Sequence, residues 1–187
     1  MSDFGYLNLP EELKLDIAYQ VYKWSNWEER EFLDTLLQLP ASFREHYEVE
    51  GTFYRGINQN INNLRDMEIA SWSYDKNFAF YVGYRTTPNN HPTHIYKKVG
   101  KAFSLLKLMN EIIRYISEGD NYPELARIYD IHQDLYDFRE CLRVEEEELL
   151  APFSKDSDEL IETVEGFPDY IKELEDEGYF DALGNIN

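Results

Sequence analysis

The chain has a single cysteine, Cys141, among its 187 residues. One thiol cannot close an internal disulfide or supply the cysteine cluster of a structural zinc site. Basic residues are scarce too. Only 18 Lys and Arg stand against 37 Asp and Glu, which gives a formal net charge of −19 and a pI of about 4.5. Such a surface repels phosphate backbones and anionic membranes, so direct nucleic-acid binding and membrane association are not expected. A basic protein partner is favoured instead. No apolar run approaches membrane-spanning length. The opening MSDFGYLNLPEELK lacks the basic-then-apolar order of a signal peptide. These absences together fit a cytoplasmic protein of a reducing compartment.

The nine glycines never fall into GxGxxG, which excludes a Rossmann fingerprint. Gly51 and Gly56 have phosphate-loop spacing, but Ile57 stands where that loop needs Lys. His91-Pro92-Thr93-His94 is half of a metal site at most: it has no cysteine partner and no HExxH, so no metal is expected. Ser71 and Ser73 sit outside any GxSxG, which argues against a serine nucleophile.

What is present is apolar and aromatic. Hydrophobic residues make up 43% and aromatic ones 16%, too much for a disordered chain and enough for one domain with a sizeable core. Residues 10 to 24 read as an amphipathic helix, with Leu13, Ile17, Val21 and Trp24 on one stripe. Ser25 followed by Glu28 has the form of a capping box for a second helix ending near Leu39-Pro40. GTFYRGI, from Gly51, and IASWSY, 69 to 74, are β-prone and read as strands. Asp75 then suits the cap of a helix through Phe78, Ala79 and Val82, closed by Gly83, with a loop over 84 to 94. IYKKVGKAFSLLKLM reads as two strands with a turn at Gly100. NEIIRYIS and YPELARIYDIHQDLYDF read as helices. Beyond Phe153 the pattern fits short helices or twisted strands equally.

The stretch VEEEELLAPF, Val144 to Phe153, admits two readings. Glu, Leu and Ala favour a helix with a solvated acidic face. As a strand, the same residues put Glu146 and Glu148 on one face and Glu145 and Glu147 on the other.

Three segments follow one another in a telling order. Tyr54-Arg55-Gly56 lies on a strand. Ser71-Trp72-Ser73-Tyr74-Asp75-Lys76-Asn77 lies on a strand running into a helix. Glu146-Glu147-Glu148-Leu149-Leu150-Ala151-Pro152 comes third. This order resembles the arginine-serine-glutamate class of mono-ADP-ribosyltransferases, and above all the small bacteriophage-encoded enzymes that modify host proteins. The likeness covers roughly the middle half of the chain. It departs from the family in carrying Trp72 where a small residue is usual.

The resemblance implies a single α+β domain over 1–187: a helical part at 1–48, the motifs at 49–153 and an acidic part at 154–187. Its fold would be two packed antiparallel sheets forming an NAD cleft, with helices outside. It implies NAD as substrate and a target protein with an exposed arginine, a host protein if the chain is phage-encoded. The spacing to Pro152 selects Glu148 as the catalytic glutamate, and EEEELLAPF becomes a strand edge facing the cleft. Arg55 would clamp the NAD phosphates, and Gly56 would let the nicotinamide amide approach the backbone. Ser71, with Ser73 beside it, would hold the ribose and the glutamate. Glu148 would stabilise developing positive charge, and Glu146 would align the acceptor guanidinium. Tyr84 and Arg85 would cover the nicotinamide and a phosphate. An NAD glycohydrolase using the same residues, and a non-enzymatic acidic protein binding a basic partner, are the alternatives.

Overall fold

A computed structural model describes residues 5–27, 31–86, 91–118, 148–169 and 172–173. The fold is α+β. The chain divides into two compact units: Met1–Val49 with Phe103–Arg143, and Glu50–Ala102 with Val144–Asn187.

The first unit is mainly helical. It holds α1 (Glu11–Trp27), α2 (Glu31–Gln38), α3 (Ala41–His46) and α5 (Leu105–Glu118). The apolar stripe of α1 is buried at Ile17 and Val21, and α2 buries Phe32, Leu33 and Leu36. Tyr47 organises the polar centre of this unit. Its hydroxyl donates to Glu111 Oε2 and accepts from the Tyr6 amide, both at 2.6 Å. Its ring meets Phe43 and Phe103 edge-on. Arg44 Nη1 donates to the carbonyls of Leu36 and Leu37, satisfying acceptors that the end of α2 leaves open. Ser25 is not an N-cap: α1 runs through it to Trp27, and Glu28 lies outside the described residues.

The second unit carries most of the sheet. Its elements are β1 (Glu48–Asn58, whose first two residues belong to the first unit), β2 (Met67–Trp72), α4 (Lys76–Thr86), β3 (Thr93–Ser104, whose last two do likewise), β4 (Leu149–Phe153) and β5 (Glu159–Val164). The strand order is β1-β3-β4-β2, with β5 added on β3. The β2–β4 and β3–β5 pairs are antiparallel. All the described strands therefore join one five-stranded sheet, in which β3 serves three partners. An isolated bridge between Tyr54 and Ser73 ties β1 back to the end of β2.

Several elements differ from expectation for identifiable reasons. Gly83 does not close α4, which continues to Thr86. Tyr84 and Arg85 are consequently helical rather than in a loop. Gly83 serves close packing instead: a Cβ there would meet the Gly56 carbonyl carbon at 2.4 Å and its oxygen at 2.5 Å. Strand β1 and helix α4 thus touch backbone to backbone. Gly100 makes no turn. It takes a φ of 152° inside the continuous strand β3, a value a glycine tolerates without reversing the chain. The segment LLKLM begins α5 rather than ending a second strand. After Phe153 a strand does form, β5, held to β3 by ladder bonds and by the Lys97–Glu159 pair. The expected helix within 122–138 lies outside the described residues.

The contact between Gly56 and Gly83 makes a prediction of unusual sign. Inside a helix, Gly→Ala normally stabilises by about 1 kcal/mol. Gly83→Ala should instead destabilise by about 2 kcal/mol, because β1 and α4 must part to admit the methyl group. A lower urea midpoint at unchanged m-value is the expected observation; a raised midpoint would show that the two backbones can separate freely.

Candidate functional site

The site is built where β1, β2 and β4 converge. Ser71 lies opposite Leu150 in the β2–β4 register, and Trp72 lies opposite Leu149. Residues directly opposite share a face, and so do residues two apart along one strand. Glu148, which immediately precedes β4, therefore falls diagonally beside Ser71. Ser71 Oγ donates to Glu148 Oε1 at 2.6 Å, the length of a charge-assisted bond.

Arg55 enters from β1. Its Nη1 donates to the Ser71 carbonyl at 2.5 Å, and its Nη2 reaches Met67 Sδ at 3.7 Å. Among the described residues its buried Nε has no hydrogen-bond partner. Burial pulls the guanidinium down to about 10, while the charge of Glu148 pulls it back up. The group stays cationic at neutral pH. Arg55 and Ser71 are 16 positions apart, and Ser71 and Glu148 are 77 apart. The three nevertheless form one connected group.

Ser73 has a different task. Its backbone exchanges two hydrogen bonds with Tyr54, at 2.7 and 2.9 Å, and its hydroxyl accepts from the Asp75 amide at 3.0 Å. Asp75 Oδ1 in turn accepts from the amides of Asn77 and Phe78, the expected N-cap of α4. Ser73 is buried and forms the corner at which β1, β2 and α4 meet.

The remaining expected residues are less close-knit. The space above Gly56, expected to admit a nicotinamide amide, is filled by α4: a Cβ there would meet the Ala79 carbonyl oxygen at 2.0 Å. Tyr84 projects from α4 into an aromatic cluster, with its ring centroid 6.0 Å from Phe80 and 4.9 Å from Phe167. The Arg85 side chain and all of Glu146 lie outside the described residues, as do Glu145 and Glu147. Within the described part, the acidic stretch becomes a strand, β4, starting at Leu149.

The half metal motif is dispersed. His94 is buried on β3 with Nδ1 3.1 Å from Thr163 Oγ1, while His91 is exposed. Among the described residues no group of three or more His, Cys, Asp and Glu could hold a metal. Among them also, no helix is long and apolar enough to cross a membrane. Comparison with known protein families, curated proteins and solved structures gave no match.

Three residues beside the site carry no motif: Met67 under Arg55, and Lys98 and Asp158 behind Trp72. None of these three had a signal in the sequence, whereas Trp72 stood out as a bulky residue between two serines.

The geometry of Arg55 predicts that its charge alone is insufficient. Arg55→Lys keeps a cation but cannot reach the Ser71 carbonyl and Met67 with two separate nitrogens. Unfolding free energy should fall by about 1 kcal/mol for the lost bond, measured by urea denaturation. Unchanged stability would mean that the Arg55–Ser71 contact contributes nothing to the fold.

Proposed function

We propose that the chain is an NAD-dependent mono-ADP-ribosyltransferase that transfers ADP-ribose to arginine side chains of a target protein and releases nicotinamide. The observation that carries the reading is the hydrogen bond from Ser71 Oγ to Glu148 Oε1, with Arg55 bonded to the same serine. Three residues chosen from separate motifs meet in one group. An α+β chain with a mostly antiparallel sheet is compatible with the ADP-ribosyltransferase-like fold, whose NAD cleft lies between two sheets. The described strands, however, join one sheet rather than the two that were expected.

The reaction breaks the bond between nicotinamide and C1′ of its ribose. Nicotinamide leaves neutral with the bonding electrons, and positive charge spreads over C1′ and the ring oxygen, as in glycoside cleavage. A guanidinium nitrogen of the acceptor then bonds to C1′ and loses a proton. A carboxylate fixed near C1′ stabilises that cation without having to reorganise. Glu148 suits this role because Ser71 already holds one of its oxygens. Arg55 supplies a permanent positive charge for the phosphates of NAD. Its Nη1 is engaged by the Ser71 carbonyl, so the phosphate would meet the remaining edge. Glu146, two residues before Glu148 in the sequence, would align the acceptor and take its proton. Ser73 serves as the corner that fixes β2, while Gly56 and Tyr84 serve packing: Gly56 lies against the Ala79 carbonyl and Tyr84 among Phe80 and Phe167. The acidic surface favours a basic target, in keeping with a host protein in the cytoplasm.

The glutamates provide the test. Glu148→Gln should lower every NAD-cleaving activity about 10²- to 10³-fold, the cost of one lost electrostatic stabiliser. Glu146→Gln should abolish arginine modification and largely spare slow hydrolysis. Nicotinamide release, measured with and without an arginine-rich protein acceptor, reads both. Release that ignores the acceptor would point to the glycohydrolase, and no release at all to an acidic binding protein.

A further inference from the structure

The residue that departs from the family pattern, Trp72, has a physical task. Its indole Nε1 donates to the Ala151 carbonyl at 3.2 Å, on the strand that Glu148 leads into. Its ring lies 6.2 Å from Phe153, at the other end of that strand, and beneath Lys98 Nζ at 5.2 Å. Lys98 belongs to β3, and β4 lies between β3 and β2. The side chain of Trp72 therefore starts on one neighbour of β4, bonds β4 itself and reaches the other neighbour.

The far end is anchored. Lys98 Nζ pairs with Asp158 Oδ1 at 2.6 Å, and the Asp158 side chain is only 4% exposed. Asp158 Oδ2 accepts from the Ser154 amide at 2.8 Å, and its own amide donates back to the Ser154 carbonyl at 2.8 Å. Ser154 directly follows β4. The chain of contacts thus runs from Trp72 on β2, over β4 to Lys98 on β3, and through Asp158 to Ser154, the residue that follows β4. A buried carboxylate is retained only where partners satisfy it, and here both of its oxygens have one.

We propose that Trp72, anchored by Lys98 and Asp158, is a positioning residue: it straps β4 against β2 so that Glu148 meets Ser71. The inference rests on the transferase reading for its consequence, and on the strand geometry alone for its mechanism. A register slip or outward shift of β4 would carry Glu148 away from Ser71. A small residue at position 72 would hold that strand by the ladder only. Trp72 contacts no reacting atom, so its loss should appear in turnover rather than in substrate affinity.

Trp72→Phe retains a ring and removes the indole N–H. Two measurements on the full chain follow. The first is amide hydrogen exchange: the amides of Leu149, Leu150 and Ala151 should exchange about tenfold faster or more, with those of α4 unchanged. The second is nicotinamide release from NAD. Its kcat should fall about ten- to a hundredfold, as for a misplacement of the order of 1 Å, at unchanged KM. Combined with Ser71→Ala, the two kcat losses should fall well short of multiplying, because both act on one hydrogen bond. Asp158→Asn, which leaves Trp72 itself intact, should give the same pattern in milder form and serves should Trp72→Phe not fold. Unchanged exchange in β4 overturns the strap. So do losses that multiply fully with Ser71→Ala. A wild-type chain that releases no nicotinamide would bring down the transferase reading instead, and the exchange measurement would then decide the strap by itself.

Discussion

The pairing of β2 with β4 is the constraint on which the candidate site depends. It joins residues 77 positions apart. Closing a loop of that size costs little more than closing one half as long, about 0.6 kcal/mol for each doubling. Ordering the strands themselves costs far more, on the order of 1 to 2 kcal/mol per residue. The Ser71–Glu148 bond cannot supply that alone, since hydrogen bonds to charged groups contribute about 1.5 to 3 kcal/mol. What holds the pair is burial. Leu149, Leu150, Ala151 and Phe153 are all nearly inaccessible, as are Ile69, Ala70 and Trp72 opposite them. The polar contact is positioned by an apolar ladder, and its geometry is only as good as the packing behind it.

The parts of this arrangement legible in the sequence are those set by local chemistry. Asp75 reads as a cap because its short carboxylate can meet two free amides at a helix start, and it does. Aromatic and β-branched residues around Arg55 and Ser71 mark their strands. Less legible were residues whose local preference has two outlets. Gly83 looks like a helix stop, yet the missing side chain is spent on contact with Gly56. That misreading also displaced Tyr84 and Arg85 from helix to loop. Gly100 signals a turn but only bears an unusual φ within β3. The strand β5 was obscured by its charges. It pairs with β3 alone, and an edge strand gains from Glu159 and Glu162, which meet Lys97 and Lys76. In EEEELLAPF, helix propensity and strand burial compete. Burial prevails from Leu149 onward, since tertiary contacts outweigh propensities of a few tenths of a kcal/mol per residue.

Electrostatics sets the character of the site against that of the chain. With a net charge of −19, the surrounding field opposes a dinucleotide carrying phosphates and favours a cationic partner. A site for NAD on such a protein needs a local cation placed where solvent does not screen it. On the proposed reading Arg55 meets that need. It is held by Ser71 and Met67, and among the described residues its buried Nε has no partner. A buried donor is costly unless a partner meets it. On the proposed reading a phosphate oxygen of NAD would be that partner, met directly or through a small shift of the side chain. On the same reading the field that works against the dinucleotide would draw in a guanidinium-bearing acceptor. On the proposed reading the two substrates are therefore recognised by opposite means: NAD by one sheltered positive charge, and the target protein by the negative surface around it. Salt would screen the second far more than the first, because the exposed charges lie in high-dielectric solvent and the Arg55 contact does not.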